Sequence, residues 1–484
     1  MVTRRLLLPA LVLAWAALVT LRHTWAGDMR LHEGVLHALL RDTWSPVDPM
    51  VGAVEGSPYF SPPMVALAAV ARLLHLRVQT VLELSGLVNV AVWLWALTRF
   101  CRRLGGPAVA VLAIVFELLL WGLSPREWSG FPGLFSLSWT MAYPSLLATG
   151  LMLLAWDLYL DRRWWPLVPV LALIALTHPF TAFNTGLGLA AFALARPGRL
   201  KDRRAYAAAA AAAGLVLLWP WSDPAALAGA AGGLSEIHRR LALDLGGDFG
   251  FSHFGLALAG LPALVSGASR RPMGRELLLL FSLTISVVGL GLATGTFSLA
   301  RALPVAVLPL HLALASALAG TGAVDGVKRR ATAGLAVAAC AAGIVGNSGG
   351  LVRAWQGPLD PRTLTAWGGR STTTVYDPLV RRIRAGTVVL GDQVWPGRLV
   401  VARGAYTVVP PWPYPFVDEA ARRRDTRIFF APATTPAQRA KIVERYRVGC
   451  VLAARRSPAL RPGAVAGFRK IAETRRGGVR LICR

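Results

Sequence analysis

Apolar runs close to the length of a bilayer recur from residue 6 to residue 346 and then stop. A helix needs about 20 apolar residues to cross the hydrocarbon, and within it every segment must satisfy its own backbone hydrogen bonds. That feature commits the first part of the chain to a bundle of apolar helices. Composition agrees, since 55% of the 484 residues are hydrophobic and the mean hydropathy is +0.50, values wrong for a soluble protein. The first run follows Arg4 and Arg5 and has the basic start and apolar middle of a signal peptide. Arg22, His23 and Trp25 stand where a cleavage site needs small residues, so it reads as a first span with its N-terminus inside.

Short basic clusters separate the runs: Arg99 with Arg102 and Arg103, Arg162 with Arg163, Arg196 to Arg204, Arg270 with Arg271 and Arg275, and Lys328 to Arg330. Placed together on the inner side, they thread the chain through about eleven spans. These fall near 6–22, 78–99, 106–122, 138–158, 165–177, 180–195, 205–221, 254–268, 276–294, 302–320 and 331–346. An odd count with an inside N-terminus delivers everything after residue 350 to the outer face. The stretch 63–76 is too short to span and reads as a re-entrant or tilted piece.

The expected organisation is a polytopic α-helical membrane domain over 1–346, with a first outer loop at 23–63, and a soluble α/β domain outside the membrane over 350–484. In the terminal domain 387–390, 399–402, 407–409, 427–430 and 450–453 read as short buried strands, and 436–447 as a helix. From residue 350 onward 25 lysines and arginines face eight acids, a net +17 of the chain's +27. Long domains translocate regardless of charge, so this does not hold the domain inside. The charge reads either as a solvated surface in an arginine-rich chain with only four lysines, or as attraction to anionic headgroups or an anionic envelope polymer. No nucleic acid partner is expected. Cys101, Cys340, Cys450 and Cys483 form no CxxC pair and have no histidine spacing suited to zinc. Cys450 and Cys483 share the terminal domain and could pair in an oxidising compartment.

Charge beside a membrane is costly, so its position carries information. The densest collection lies in residues 27–64: Asp28, His32, Glu33, His37, Asp42, Asp48 and Glu55, with Trp44, Tyr59 and Phe60 interleaved. The spacing over 29–40 predicts an amphipathic helix lying on the membrane surface, with Asp28 at its N-cap. A cap and a catalytic carboxylate explain Asp28 equally well. Arg126 and Glu127, His178 before Pro179, the segment 236–248 and Arg301 also fall toward the outer side. The glycine-rich stretch 246–250, which includes Asp248, is a weak signal for a phosphate cradle. His178 suits a cap or a core position as well as a site. Arg301 offers a fixed charge and a planar fork of donors, which suits a phosphate at the membrane boundary, although snorkelling to the interface would also place an arginine there.

With these residues in view, the chain resembles the polyprenyl-phosphate-sugar-dependent glycosyltransferases of the bacterial envelope with the GT-C fold. The likeness lies in a first helix and an outer loop opening with Asp28, then SPVDP and GSPYFSPPMVALAAV, YPSLLATGL at 143–151, the His178-Pro179 pair, and Arg301 ahead of Pro304 and the Leu308-Pro309-Leu310 run. The resemblance covers most of 1–346 and implies that Asp28 is the general base toward the acceptor hydroxyl. It also implies that Arg301 holds the donor's phosphate and that Glu33 or His178 helps shape the site, and His32, Tyr59, Glu127 and Asp248 join them as candidates. The second acid often found in a neighbouring loop of the family has no unambiguous match, since Glu127, Asp223 and Asp248 all qualify. A divalent cation (Mg, Mn or Ca) is therefore left undetermined, and no other cofactor is expected.

The implied reaction moves a sugar from a polyprenyl-phosphate carrier to an envelope glycan, lipid or protein on the outer face of the plasma membrane. A single displacement with one base inverts the anomeric carbon. Alanine-, glycine- and arginine-rich usage hints at an actinobacterium, where arabinofuranosyl or mannosyl donors fit. The rival from another class is a multi-pass transporter or flippase of lipid-linked or envelope precursors, which wants ionisable groups at mid-membrane. Glu83 and Glu117 keep that alternative open, with Glu117 either a proton relay or the partner of a neighbouring helix. A non-catalytic scaffold whose basic domain binds an anionic polymer is the third.

Overall fold

The computed structural model describes every residue except 1, 23–27, 54–55, 125–128, 222–234, 247–249, 321–325, 356–371, 395 and 475–477. Contacts divide the chain into two compact units. The first comprises Met1–Thr24, Glu83–Leu218 and Ser235–Gly357, and the second Trp25–Leu82, Trp219–Leu234 and Pro358–Arg484. The sequence placed the first outer loop with the membrane part, whereas its contacts group it with the terminal residues.

The chain is a polytopic helical membrane protein. Among the described residues, Val78–Cys101, Gly274–Thr294, Phe297–Leu318 and Arg329–Trp355 are long and apolar enough to cross a bilayer. Leu7–Leu21, Pro107–Leu119, Trp164–Thr177, Pro179–Ala195 and Phe251–Gly267 are shorter apolar helices. Leu290, Leu292, Val337 and Val345 are exposed on two of the long helices, as lipid-facing side chains should be.

The span expected over 138–158 is not one rod. Leu134–Thr140 and Pro144–Leu160 meet at 117°. Pro144 supplies no N–H, and the residue before a proline avoids the helical region, so Tyr143 adopts φ −71°, ψ 144°. The carbonyls of Met141 and Tyr143 at the break receive the Asn89 side-chain amide at 3.1 and 3.4 Å. A buried amide thus does what water cannot do in hydrocarbon.

At one end of the first unit the basic clusters meet. Arg99 and Arg103 both pair with buried Asp157, Arg103 reaches Asp161 at 2.6 Å, and Arg199 donates to the carbonyls of Tyr159 and Leu160. Arg196 pairs with Glu276 at 2.7 Å. Four of the clusters used to orient the chain therefore lie together, as shared sidedness requires.

In the second unit a five-stranded sheet carries the fold: β1 (Val388–Gly391), β2 (Tyr406–Thr407), β3 (Val448–Ala454), β4 (Arg469–Glu473) and β5 (Val479–Cys483), in the order β2-β1-β3-β5-β4. β1 is parallel to β2 and β3, while β5 is antiparallel to β3 and β4. Cys450 and Cys483 face each other in the β3–β5 register and form a disulfide.

Two expected strands are helices instead. Residues 399–402 lie in Gly397–Ala402, because a four-residue apolar run fits a buried helix as well as a strand. Residues 427–430 close the helix Glu419–Phe430, where Asp425 and Phe429, one turn apart, are the buried positions, so little apolar period shows. β4 and β5 escaped the sequence because charged residues interrupt both.

The helix expected over 29–40 is present as Met29–Arg41, but its apolar face is not on lipid. Met29, Leu31, Val35, Leu36 and Leu39 are buried in protein, and Gly397–Ala402 packs against the helix. A Cβ at Gly34 would lie 2.5 Å from the Val401 side chain, so glycine permits the approach. The Pro62–Leu73 helix holds 12 residues and rises about 18 Å, short of a crossing.

Gly260 is held against the helix Leu303–Leu318, where an added Cβ would sit 2.2 Å from the Leu310 carbonyl oxygen. Gly260→Ala is expected to lower the midpoint of thermal unfolding in detergent, with a cost of about 1–3 kcal/mol. Gly289→Ala, in a helix with open space around it, should leave the midpoint unchanged or raise it. Equal midpoints for the two variants would refute the close packing.

Candidate functional site

In the first unit a pocket forms at the end of the bundle away from the paired basic clusters. It lies where Pro107–Leu119 ends, where Pro179–Ala195 begins and just before Leu303–Leu318. His178, Phe180, Asn184, His238 and Arg301 line it, above an apolar floor that includes Trp93, Met152 and Leu308. Its free volume is about 50 Å³, room for a phosphate-sized group but not for a sugar without some opening.

Each polar group there has a local reason for its position. Gly295, left-handed at φ 71°, ends Gly274–Thr294, and a 3-10 turn over Phe297–Ala302 carries Arg301 to the mouth of the next helix. The guanidinium carbon stands 5.0 Å over the Phe180 ring, and its backbone carbonyl receives the Asn184 amide at 3.5 Å. Arg301 is the only lysine or arginine among the described lining residues. His178 is the N-cap of Pro179–Ala195: its Nδ1 accepts from the Thr181 N–H at 3.3 Å, with the Thr181 hydroxyl at 2.8 Å. The capping reading of His178 thus holds, and the same residue borders the pocket.

Sequence reasoning missed His238. It sits on the amphipathic helix Ser235–Gly246, is buried, and lies 5.2 Å edge-on from Phe180. His238, Leu241 and Ala242 share one face at the three- and four-residue spacing of a helix, the signal that could have found it. Burial, then the neighbouring Arg301 charge, pushes its pKa down to about 4. The imidazole is therefore neutral at pH 7, and Arg301 is the pocket's fixed cation. Asn184 leaves its carbonyl oxygen buried with no hydrogen-bond partner among the described residues, an acceptor facing a space that a hydroxyl could fill.

The second unit holds Asp28, His32, Glu33 and Tyr59 together. Asp28 stands at the N-cap of Met29–Arg41, yet its side chain makes no capping bond. Its Oδ1 accepts instead from Trp412 Nε1 at 2.7 Å, and the Arg398 guanidinium lies 4.9 Å from the centre of that indole. The capping explanation of Asp28 fails on this geometry. The carboxylate is exposed and oriented by a residue of the terminal segment 358–484.

Around it lies a buried polar cluster. His32, within the field of Asp28, is lowered to about 4 by burial. The Tyr59 hydroxyl is pushed up by burial and by the Asp28 and Asp48 charges. Asp48, fully buried, accepts from the Met50 and Val51 N–H groups at 2.8 and 2.9 Å and is itself raised by burial. Glu33 is half-buried, one turn on from Asp28, and acts on Arg30. The loop is tied down from outside itself: Thr407 N–H reaches the Met50 carbonyl at 2.7 Å, and the indoles of Trp219 and Trp221 reach the carbonyls of Phe60 and Thr43 at 2.8 Å each.

Glu127, Asp248 and Glu55 lie outside the described residues. Among the described residues no cluster of three histidine, cysteine or acidic side chains could hold a metal ion. Glu117, the relay candidate of the transporter alternative, pairs with His311 at 2.9 Å, and His311 Nε2 meets the Leu120 carbonyl at 2.7 Å. It is a helix-to-helix tie.

No protein family profile and no curated protein matches the chain in sequence. Solved structures do match its fold. The arabinofuranosyltransferase AftD from Mycobacteria superposes with a TM-score of 0.56 at 15% identity, over 99% of this chain and 40% of that one. ArnT from Cupriavidus metallidurans, bound to undecaprenyl phosphate, gives 0.53 at 15% identity over 100% and 98% of the two chains. The apo oligosaccharyltransferase of Archaeoglobus fulgidus gives 0.50 at 13% over 92% and 69%. The chain thus spans about two fifths of the length of AftD and nearly all of ArnT. All three have the GT-C fold, and this chain resembles them in it.

Two of the depressed histidines, His32 and His238, give stability a pH dependence that burial also gives His37 in the same direction. The folded pKa values of His32 and His238, about 4, lie below the unfolded value of about 6.5, so the unfolded chain binds the extra protons. Their contribution is complete above about pH 6.5 and is lost as pH falls toward 4. Thermal midpoints recorded between pH 7.5 and 4.5 should fall on acidification, and His32→Gln should flatten the slope. An unchanged slope in that variant would show that His32 is not held neutral.

Proposed function

We propose that the protein is a membrane glycosyltransferase that moves a sugar from a polyprenyl-phosphate carrier to an envelope glycan, lipid or protein at the outer face. The observation that carries the reading is the Arg301 pocket: one fixed cation, a neutral histidine and an unsatisfied amide oxygen at the bundle end opposite the paired basic clusters, in a GT-C-like fold. That ArnT is bound to undecaprenyl phosphate supports a carrier of this kind. About eleven crossings and an outer location for residues 350–484 belong to the same proposal.

The roles divide by chemistry. Arg301 meets the phosphate oxygens and neutralises the charge that grows on the leaving oxygen as the anomeric bond breaks. Asn184 offers an acceptor, and His178, whose Nδ1 already accepts from Thr181, offers its Nε2–H as a donor to sugar hydroxyls. Asp28 takes the proton from the acceptor hydroxyl as it attacks from the opposite face, so the configuration inverts. Trp412 is a positioning residue, fixing one oxygen of the Asp28 carboxylate. His32, Glu33 and Tyr59 shape the surroundings, while the sugar, arabinofuranose or mannose, and any Mg, Mn or Ca requirement stand as the finer part of the proposal.

The test is turnover of purified protein with a panel of radiolabelled polyprenyl-phosphate sugars. Asp28→Asn should lower kcat by about 10²–10⁴ while the protein stays folded. Arg301→Ala should weaken donor binding as well as turnover, because a phosphate loses its charge-assisted bonds. Wild-type turnover in Asp28→Asn would sink the assignment of the base. Trp412→Phe removes one hydrogen bond to a charged group, worth about 1.5–3 kcal/mol, and should lower kcat roughly 10- to 100-fold with the donor KM unchanged. A raised donor KM at constant kcat would show that the indole acts on binding instead.

A further inference from the structure

The terminal sheet has a second cavity, wholly within residues 389–452 of the second unit, that the transferase reading does not use. It encloses about 320 Å³, within the range of small-molecule sites. Its place follows from the topology. β1 feeds the helix Gly397–Ala402 and returns as β2 on one side, whereas the connection from β2 passes through Glu419–Phe430 and Pro436–Arg445 to β3 on the other side. The two connections run on opposite faces of the sheet, and a crevice opens between them at the carboxyl end of β1. Gly391, Asp392 and Gln393 leave β1 there, Thr407 ends β2, and Leu452 of β3 lies level with Gly391.

The lining narrows the ligand. Asp392 holds the Ala454 N–H through Oδ2 at 2.7 Å, which fixes the carboxylate against the sheet. Gln393 accepts from the Tyr376 hydroxyl at 3.1 Å through its amide oxygen, so its NH₂ is left as a donor. On the facing helix Arg423 is held by Glu419, one turn away, while Arg427 has no acidic partner among the described residues. Val389, Val400 and Leu452 make an apolar floor. The exit from β1 reads Gly391-Asp392-Gln393-Val394, without the glycine-rich turn that cradles a pyrophosphate. One carboxylate is too few for a metal. What remains is a ring with an apolar face, hydroxyls for Asp392 and Gln393, and one negative group for Arg427.

We propose that this crevice is a binding site for an acidic saccharide unit of a glycan, with its hydroxyls on Asp392 and Gln393 and its anionic group on Arg427. The proposal does not depend on the transferase reading, and its test needs no turnover.

Full-length protein in detergent is titrated calorimetrically with a trimer of galacturonic acid, with maltotriose, and with inorganic phosphate. The acidic trimer should bind, maltotriose at least about tenfold more weakly, and phosphate should not displace the trimer. Asp392→Asn and Arg427→Ala should each weaken the trimer by about tenfold with an unchanged unfolding midpoint. Since both residues are exposed, Arg427→Lys serves as the folded control that retains part of the affinity. The absence of trimer binding, equal affinity for maltotriose, full displacement by phosphate, or wild-type affinity in both substituted proteins would each overturn the assignment.

Discussion

Hydrocarbon offers the backbone no partner outside its own helix, and the organisation of the first unit follows from that constraint. Each apolar run closes its hydrogen bonds along its length, and at the break within 134–160 a buried side chain stands in for water. There, before Pro144, the Met141 and Tyr143 carbonyls are met by Asn89. The same constraint drives charge to the ends of the helices. Paired arginines and acids gather at one end, and Arg301 with two histidines at the other. A pocket with a fixed cation at the boundary follows from where charge is tolerated.

In the second unit the governing contact is of another kind. The amphipathic helix after Asp28 buries its apolar stripe on Gly397–Ala402, and the loop behind it is held by Thr407, Trp219 and Trp221. Segments far apart in the chain thereby act as one body around a single carboxylate. Trp412 completes it, so the orientation of Asp28 depends on a residue 384 positions away. A short, exposed loop near a membrane would otherwise leave an aspartate with many rotamers and no preferred direction.

How much was legible varies with the range of the interaction. Apolar runs and basic clusters are local, and helices stand where they predicted them, as with Pro107–Leu119 and Gly274–Thr294. The strands 388–391 and 448–454 were legible for the same reason. Residues 399–402 were not, because four apolar residues in a row carry no period and only their neighbours decide between helix and strand. His238 was missed because the segment 236–248 reads as a polar loop, and the helical spacing of His238 with Leu241 and Ala242 spans little more than one turn. The two roles of His178, cap and pocket wall, are both consistent with its sequence context, and the backbone geometry settles the first.

The sequence by itself determined that this is a helical membrane protein, that its basic clusters gather at one end of the bundle, and that Asp28, Arg301 and the segment after residue 27 are unusual places for polar groups. These follow from residue type and spacing, which act over one turn of helix or one span. Only the tertiary structure decided what those groups touch: that Asp28 is oriented by Trp412 and caps nothing, that the stripe after it is covered by protein and not lipid, and that Arg301 shares a pocket with His238. Each depends on contacts between residues tens to hundreds of positions apart, and a linear pattern holds no record of such a contact until the chain has folded.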